Sequence, residues 1–200
     1  EPSYLIWSHQ WNMTGVRTKN GVNMYRYHTS PALRGDIMNT NIIRIGVICH
    51  EMGHFFGLPD LYDYSGKTQG IGTWGIMAYG SWNGDQGASP AHFCAWSKYM
   101  LGLIRPMRMH SQQGVEIPSI TTNPVAHIYR DGLDDGEYFL VENRAKSGFD
   151  NTISIEPGIV IYHIYDNSNN NDLDTWEHPV VRIEEANGND YYGLQQFTEG

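Results

Sequence analysis

Two hundred residues and 22.7 kDa are enough chain for one large domain or two small ones with a core of their own. A make-up of 40% hydrophobic, 12% aromatic and only 18% charged residues excludes a disordered tail, and the best apolar run, Ile42 to Cys49, is broken by Arg44 and Gly46 and cannot span a membrane. The formal charge of −9, from 13 cationic and 22 anionic side chains, repels polyanions and removes nucleic acid from the expected partners.

The chain opens on Glu1-Pro2 and runs at once into Tyr4-Leu5-Ile6-Trp7, which reads as the middle of a strand, so a longer precursor is expected. A second strand is expected over Val22–His28, after the turn signal Lys19-Asn20-Gly21. Asn39-Thr40 offers a helix N-cap, and Ile42, Ile45, Cys49, Met52 and Phe56 recur at helical spacing as one buried stripe, ended by Gly57 with Pro59 soon after. Alongside that stripe, Ile43 and Val47 lead into His50 and His54. The stretch from Gly57 to Gly87, rich in Gly, Asp, Asn and aromatics, is too long for a plain connector and is expected to be functional. Ser89-Pro90 opens a second helix that stops at Gly102.

From Val115 onward the pattern is one of strands: Val115–Ile120, Val125–Arg130, Glu137–Asn143, Gly158–Tyr165 and Val180–Glu184. The expectation is an α+β class, with residues 1–110 forming a catalytic region and 111–200 a β-rich region packed on it. Two cysteines, Cys49 and Cys94, are too few for a disulfide framework. Twenty-two Gly, thirteen Tyr and six Trp with few Lys and Arg resemble secreted bacterial enzymes, so an extracellular location is expected.

The decisive segment is His50-Glu51-Met52-Gly53-His54-Phe55-Phe56-Gly57-Leu58-Pro59-Asp60. Two imidazoles at i and i+4 on one helical face reach a single cation, and Glu51 beside them is placed to hold a water as general base. Gly57 lets the chain reverse so that Asp60 returns as a third ligand, and three protein ligands leave the open position that a catalytic zinc needs. With Gly at the eighth position and Asp at the eleventh, chance produces the pattern in roughly one shuffled chain in ten thousand.

The run from Ile45 to Gly84 resembles the immune inhibitor A family of secreted bacterial metallopeptidases, of metzincin type. The likeness continues through Gly57-Leu-Pro-Asp-Leu-Tyr-Asp63, Gly72-Thr-Trp-Gly-Ile-Met77, Gly80-Ser-Trp82, Pro90-Ala-His, Lys98-Tyr-Met-Leu-Gly102, Glu137-Tyr-Phe-Leu-Val-Glu-Asn-Arg144, Val160-Ile-Tyr-His163 and His178-Pro-Val-Val-Arg-Ile-Glu-Glu-Ala186. The resemblance implies an endopeptidase acting on protein or peptide substrates, a metzincin-like fold with a central active-site helix, and a Met-turn at Met77 beneath the zinc. It also implies an orienting role for Asp63. Asp60 stands where most metzincins carry a third His, and only 49 residues precede the zinc helix where most of a twisted sheet is usual. In astacin-like and serralysin-like metzincins a tyrosine at the offset of Tyr79 can turn toward zinc or the oxyanion; the competing expectation is a packed aromatic with its hydroxyl bonded to backbone.

Substrate is expected to add as a strand to an exposed edge, either Val22–His28 or Trp7–Trp11. The Asn/Asp loop places Asp166, Ser168, Asn170, Asp172, Asp174 and Glu177 at the spacing of a calcium loop, with a plain solvated loop as the alternative. Calcium is also known in the resembled family. His163 and His178 are expected to be structural, and Asp134-Asp135 and Glu184-Glu185 to be solvated faces. The rival to an endopeptidase is a surface adhesin or glycan-binding module with a vestigial site.

Overall fold

The computed structural model describes residues 6–34, 41–110, 114–153 and 156–185. It is a mixed α+β arrangement: a two-stranded hairpin, a helix followed by a long structured loop, a short second helix, and a five-stranded sheet. No helix among the described residues is long and apolar enough to cross a membrane.

The hairpin pairs β1 (His9–Lys19) with β2 (Val22–Thr29), with an irregularity between Asn12 and Arg17. Asn20 and Gly21 both take positive φ, 52° and 76°, the twist that a two-residue antiparallel connection demands. The second strand runs as its sequence predicts. The expected strand over Tyr4–Trp7 does not form where it is described: Ile6 and Trp7 lie outside β1, which begins at His9, and Tyr4 and Leu5 fall outside the described residues.

The helix α1 (Ile45–Phe55) begins at Arg44, without a side-chain cap. The expected cap at Asn39-Thr40 falls outside the described residues. Its buried face also differs from the expected apolar stripe. Ile45 is 49% and Phe56 63% exposed and Met52 is exposed as well, while Gly46, His50, Glu51 and Gly53 are buried. The reason is how closely the following loop approaches. A Cβ on Gly46 would lie 1.8 Å from the Ser81 carbonyl oxygen, and one on Gly53 would lie 2.3 Å from the Met77 sulfur. The inward row is therefore the small one, because loop backbone and the Met77 thioether fill the space that apolar side chains would take.

Two 3-10 turns, Gly72–Trp74 and Tyr79–Trp82, give that loop its shape. The helix α2 (Ala95–Met100) starts five residues beyond Pro90. Before it, the backbone is spent on the loop instead of on a helix: Ala91 N–H donates to Gly80 O at 2.9 Å, and His92 O accepts from Ile76 N–H at 3.3 Å.

The sheet comprises β3 (Met107–Arg108), β4 (His127–Tyr129), β5 (Glu137–Arg144), β6 (Gly158–Tyr165) and β7 (Val181–Ile183), in that spatial order, antiparallel except for the β3–β4 pair. The expected strand over Val115–Ile120 is reduced to a single bridge between Ser119 and Asn143. Leu140, Tyr138, Tyr162 and Ile164 are fully buried and join Leu61, Ile71, Met77, Ala95 and Trp96 in one core.

A charged cluster sits within that core. Arg144, 1% exposed, makes two 2.8 Å bonds to Asp150 and donates to Glu142 Oε1 at 3.1 Å and to Trp74 O at 2.7 Å; Lys98 Nζ donates to Glu142 Oε2 at 2.6 Å. It joins α2, β5 and the loop beneath α1. His163 is structural as expected, bonded to Glu137 at 2.6 Å and Glu184 at 2.9 Å, and His178 stacks on Tyr165. Glu184 is accordingly no solvated face: it also pairs with Arg182 at 2.7 Å.

Candidate metal centre

The site begins with how α1 ends. Gly57 takes φ 92°, its N–H donates to His54 O at 3.0 Å, and Leu58 N–H donates to Gly53 O at 3.2 Å. This paired closure about a left-handed glycine turns the chain sharply back. Three residues on, Asp60 is buried against the helix it has just left.

His50, His54 and Asp60 then meet, with their donor atoms all within 4.8 Å of one another. Asp60 Oδ1 lies 2.9 Å from His50 Nε2 and 3.3 Å from His54 Nε2. The other ring nitrogens are already engaged: His50 Nδ1 with Ile76 O and His54 Nδ1 with Leu58 O, each at 2.8 Å. A carbonyl only accepts, so both Nδ1 atoms carry the hydrogen, and a ring that is neutral turns an Nε2 lone pair toward the carboxylate. Asp60 Oδ1 is buried without a hydrogen-bond partner.

With both rings neutral, three lone-pair donors face one point, an arrangement that suits a cation. The spacing fits one, since two donors ~2.1 Å from a tetrahedral zinc stand roughly 3.4 Å apart. Burial opposes charge on His54, but the Asp60 carboxylate beside it outweighs this and raises the pKa of the ring. Burial likewise works against an ionised Asp60, yet His50, His54 and the Tyr64 hydroxyl hold its carboxyl well below the usual carboxylate range.

Tyr64 is a residue that sequence reasoning missed. Its hydroxyl donates to Asp60 Oδ2, which commits that oxygen and leaves Oδ1 as the one facing the two imidazoles. Burial first, then the Asp60 charge, push the Tyr64 phenol well up and Tyr62 to about 12, so both stay O–H groups at neutral pH. Tyr62 stacks on His50 with ring centroids 6.3 Å apart, and Tyr79 packs beside Tyr62 at 6.0 Å. The rings of His50, Tyr62 and Tyr79 thus follow one another, with Tyr79 half-exposed at the outer end. The sequence carried one faint signal, a tyrosine immediately on either side of Asp63.

Glu51 is buried beside the pair, and among the described residues no group hydrogen-bonds its carboxylate. Met77 is fully buried against Gly53, between the two histidines. Asp63 accepts from Ser65 N–H at 2.9 Å, Ser65 Oγ at 2.7 Å and Thr68 N–H at 3.0 Å, which orients the turn after Asp60.

The residues of the Asn/Asp loop do not converge in this way. Asp166 accepts from the Tyr138 hydroxyl, Asp172 accepts from Asp174 N–H and Thr175, and Asp174 pairs with Lys67. Among the described residues the histidine and Asp60 group is the one cluster of three such ligands that could hold an ion.

A profile of the immune inhibitor A peptidase M6 catalytic domain matches residues 3–103, half of the chain. The chain belongs to the immune inhibitor A peptidase M6 family. That places it among the metalloprotease hydrolases. It is similar to the pre-pro-metalloprotease PrtV of Vibrio cholerae serotype O1, 34% identical over 102 residues, which are 48% of this chain and 11% of PrtV. It is also similar to immune inhibitor A of Bacillus thuringiensis subsp. alesti, 42% identical over 57 residues, which are 27% of this chain and 8% of that protein. The matches take in about a tenth of these relatives' length. The residues of the metal cluster all lie inside the segment that the peptidase M6 profile matches.

Proposed function

We propose that this chain carries the catalytic centre of a zinc-dependent endopeptidase that hydrolyses peptide bonds of extracellular proteins. The observation that carries the reading is the buried Asp60 Oδ1, without a hydrogen-bond partner yet within 3.3 Å of two imidazole nitrogens. Two imidazoles and one carboxylate are a donor set suited to catalytic zinc, and His50, His54 and Asp60 would hold it. When bound, zinc supplies a Lewis acid that polarises the scissile carbonyl and makes water more acidic.

The chain's own residues do the rest. Glu51 takes the proton of the attacking water and hands it to the departing amine, a role open to it because its carboxylate is buried beside the ligands with no hydrogen bond of its own. Ile76 O and Leu58 O fix the ring orientation of His50 and His54, and Tyr64 fixes that of Asp60. Met77 acts as the Met-turn, packing under the helix at Gly53. Tyr79, half-exposed one ring beyond Tyr62, is the side chain for the oxyanion. Residues 1–110 form the catalytic region, and residues 111–200 a β-rich region tied to it through Arg144 and Lys98. The printed name of PrtV, a pre-pro-metalloprotease, and the Gly- and aromatic-rich composition support a secreted protein.

The experiment is zinc content together with cleavage of a denatured protein, with and without a zinc chelator. Glu51→Gln should keep zinc and lose about 10²–10⁴-fold in turnover. Substantial proteolysis by that variant refutes the assignment of Glu51; a chain that binds zinc but cleaves nothing favours the adhesin reading.

A further inference from the structure

The loop between β6 and β7 holds a side chain that the catalytic reading leaves unused. Asn171 is fully buried. Its Nδ2 donates to Leu61 O at 2.9 Å and to Val181 O at 2.8 Å, and its Oδ1 accepts from Val181 N–H at 3.0 Å. All three amide valences used here go to backbone, and one of them reaches 110 residues back along the chain.

The residue it reaches is the neighbour of the third ligand. Leu61 follows Asp60 and is itself fully buried. Its N–H donates to Met77 O at 2.8 Å, and its carbonyl also accepts from Ile71 N–H at 3.0 Å. The backbone beside Asp60 is thus held from three sides: by the Met77 turn, by the loop before Gly72, and by Asn171. A parallel bridge lies two residues on, where Asp63 Oδ1 accepts from Leu173 N–H at 3.3 Å. Asn171 and Leu173 both lie outside the segment that the peptidase M6 profile matches.

A carboxylate ligand on a reversing loop reaches its ion only if the backbone beneath it is fixed. Unlike His50 and His54, Asp60 does not sit on a helix, so its position depends on these distant bonds. Building on the metal-site reading above, we infer that Asn171 is a positioning residue for Asp60, setting the ligand's place through the Leu61 carbonyl. The loop's buried asparagine grips backbone, and its part in the site is to brace the turn that carries Asp60.

The test is zinc affinity of the full 200-residue chain, stripped of metal and titrated in competition with a zinc-binding dye, alongside the melting temperature of the metal-free protein. Asn171→Ala should weaken zinc binding about 10- to 100-fold, the range usual for residues that orient a ligand. Val160→Ala, a core truncation in β6, serves as the control for general destabilisation; it should lower the melting temperature while leaving zinc affinity within about threefold of wild type. If Asn171→Ala does not fold, Asn171→Ser keeps a polar group in the pocket and withdraws it from Leu61, with the same loss expected. Unchanged affinity in the Asn171 variant, or an equal loss in Val160→Ala at the same melting temperature, overturns the inference. A wild-type chain that takes up no zinc overturns the metal-site reading itself, and is told apart by being seen before any variant is made.

Discussion

Replacing Gly46 by alanine sets two effects of opposite sign against each other. In an isolated helix the change stabilises by up to about 1 kcal/mol, because alanine loses less backbone freedom. Here the new Cβ would stand 1.8 Å from the Ser81 carbonyl oxygen and 3.0 Å from the Gly87 Cα. Withdrawal to even 3.0 Å requires a shift of about 1.2 Å, the difference of those separations, and the obstacle is backbone with no rotamer to change. The same contact is pinned by the 3.0 Å bond from Gly46 N–H to Gly87 O. Overpacking of this kind costs about 1–3 kcal/mol, and the rigid neighbour puts it at the upper end. The net is a loss of roughly 2 kcal/mol, or about 4–8 °C in melting temperature for a chain of this size. Zinc uptake should fall too, since the first turn of α1 leads directly into His50. Gly53→Ala meets the mobile Met77 sulfur instead, and should cost less. Thermal unfolding of the metal-free proteins decides it: a Gly46→Ala variant as stable as wild type or more so would mean that propensity governs and that the close approach does not constrain the helix.

Arg144→Met leaves the carboxylate of Asp150 buried without its cation and Glu142 with Lys98 alone, and should cost about 3–5 kcal/mol in urea unfolding, with Arg144→Lys restoring only part because the two-pronged bond to Asp150 is lost. A loss under about 1 kcal/mol would remove the cluster from any part in stability. Burial opposes ionisation of Asp63, but bonds from Ser65, Leu173 and Thr68 outweigh it and hold its pKa down. Its contribution is therefore complete above the unfolded value near pH 4 and is lost as pH falls toward the folded one; Asp63→Asn should be less stable than wild type at neutral pH and fall less steeply on acidification below about pH 4. Stripping zinc should lower unfolding free energy by about 4 kcal/mol relative to protein held at a thousandfold excess over Kd, and adding zinc back should restore it; an unchanged unfolding midpoint argues against a bound ion.

The convergence of His50, His54 and Asp60 was legible because all three lie within eleven residues and the geometry that joins them, one helical turn and a glycine reversal, is local. Strands β5 and β6 were legible for a similar reason, their inward residues being spaced by two, Tyr138 and Leu140 on one and Tyr162 and Ile164 on the other. The inward face of α1 was not. Apolar residues were expected to point inward, yet Gly46 and Gly53 do so because the following loop presses backbone onto the first and the Met77 sulfur onto the second, a fact of tertiary packing. Arg144 and Asn171 escaped for the same reason: each gains its meaning from a partner that the fold delivers, the last from 110 residues away. The start of α2 was misplaced because the backbone after Pro90 bonds to Gly80 and Ile76, which no local rule anticipates.

The Lys98 to Glu142 bond crosses the point where the peptidase profile stops, at residue 103. An expression fragment trimmed to that boundary would keep His50, His54 and Asp60 but strip the ammonium of Lys98 of its counter-charge and the Trp74 carbonyl of the Arg144 guanidinium. Such a piece should be recovered from inclusion bodies, whereas one carried through to β7 should stay in solution, so a shortened enzyme has to be cut with the sheet's geometry in view.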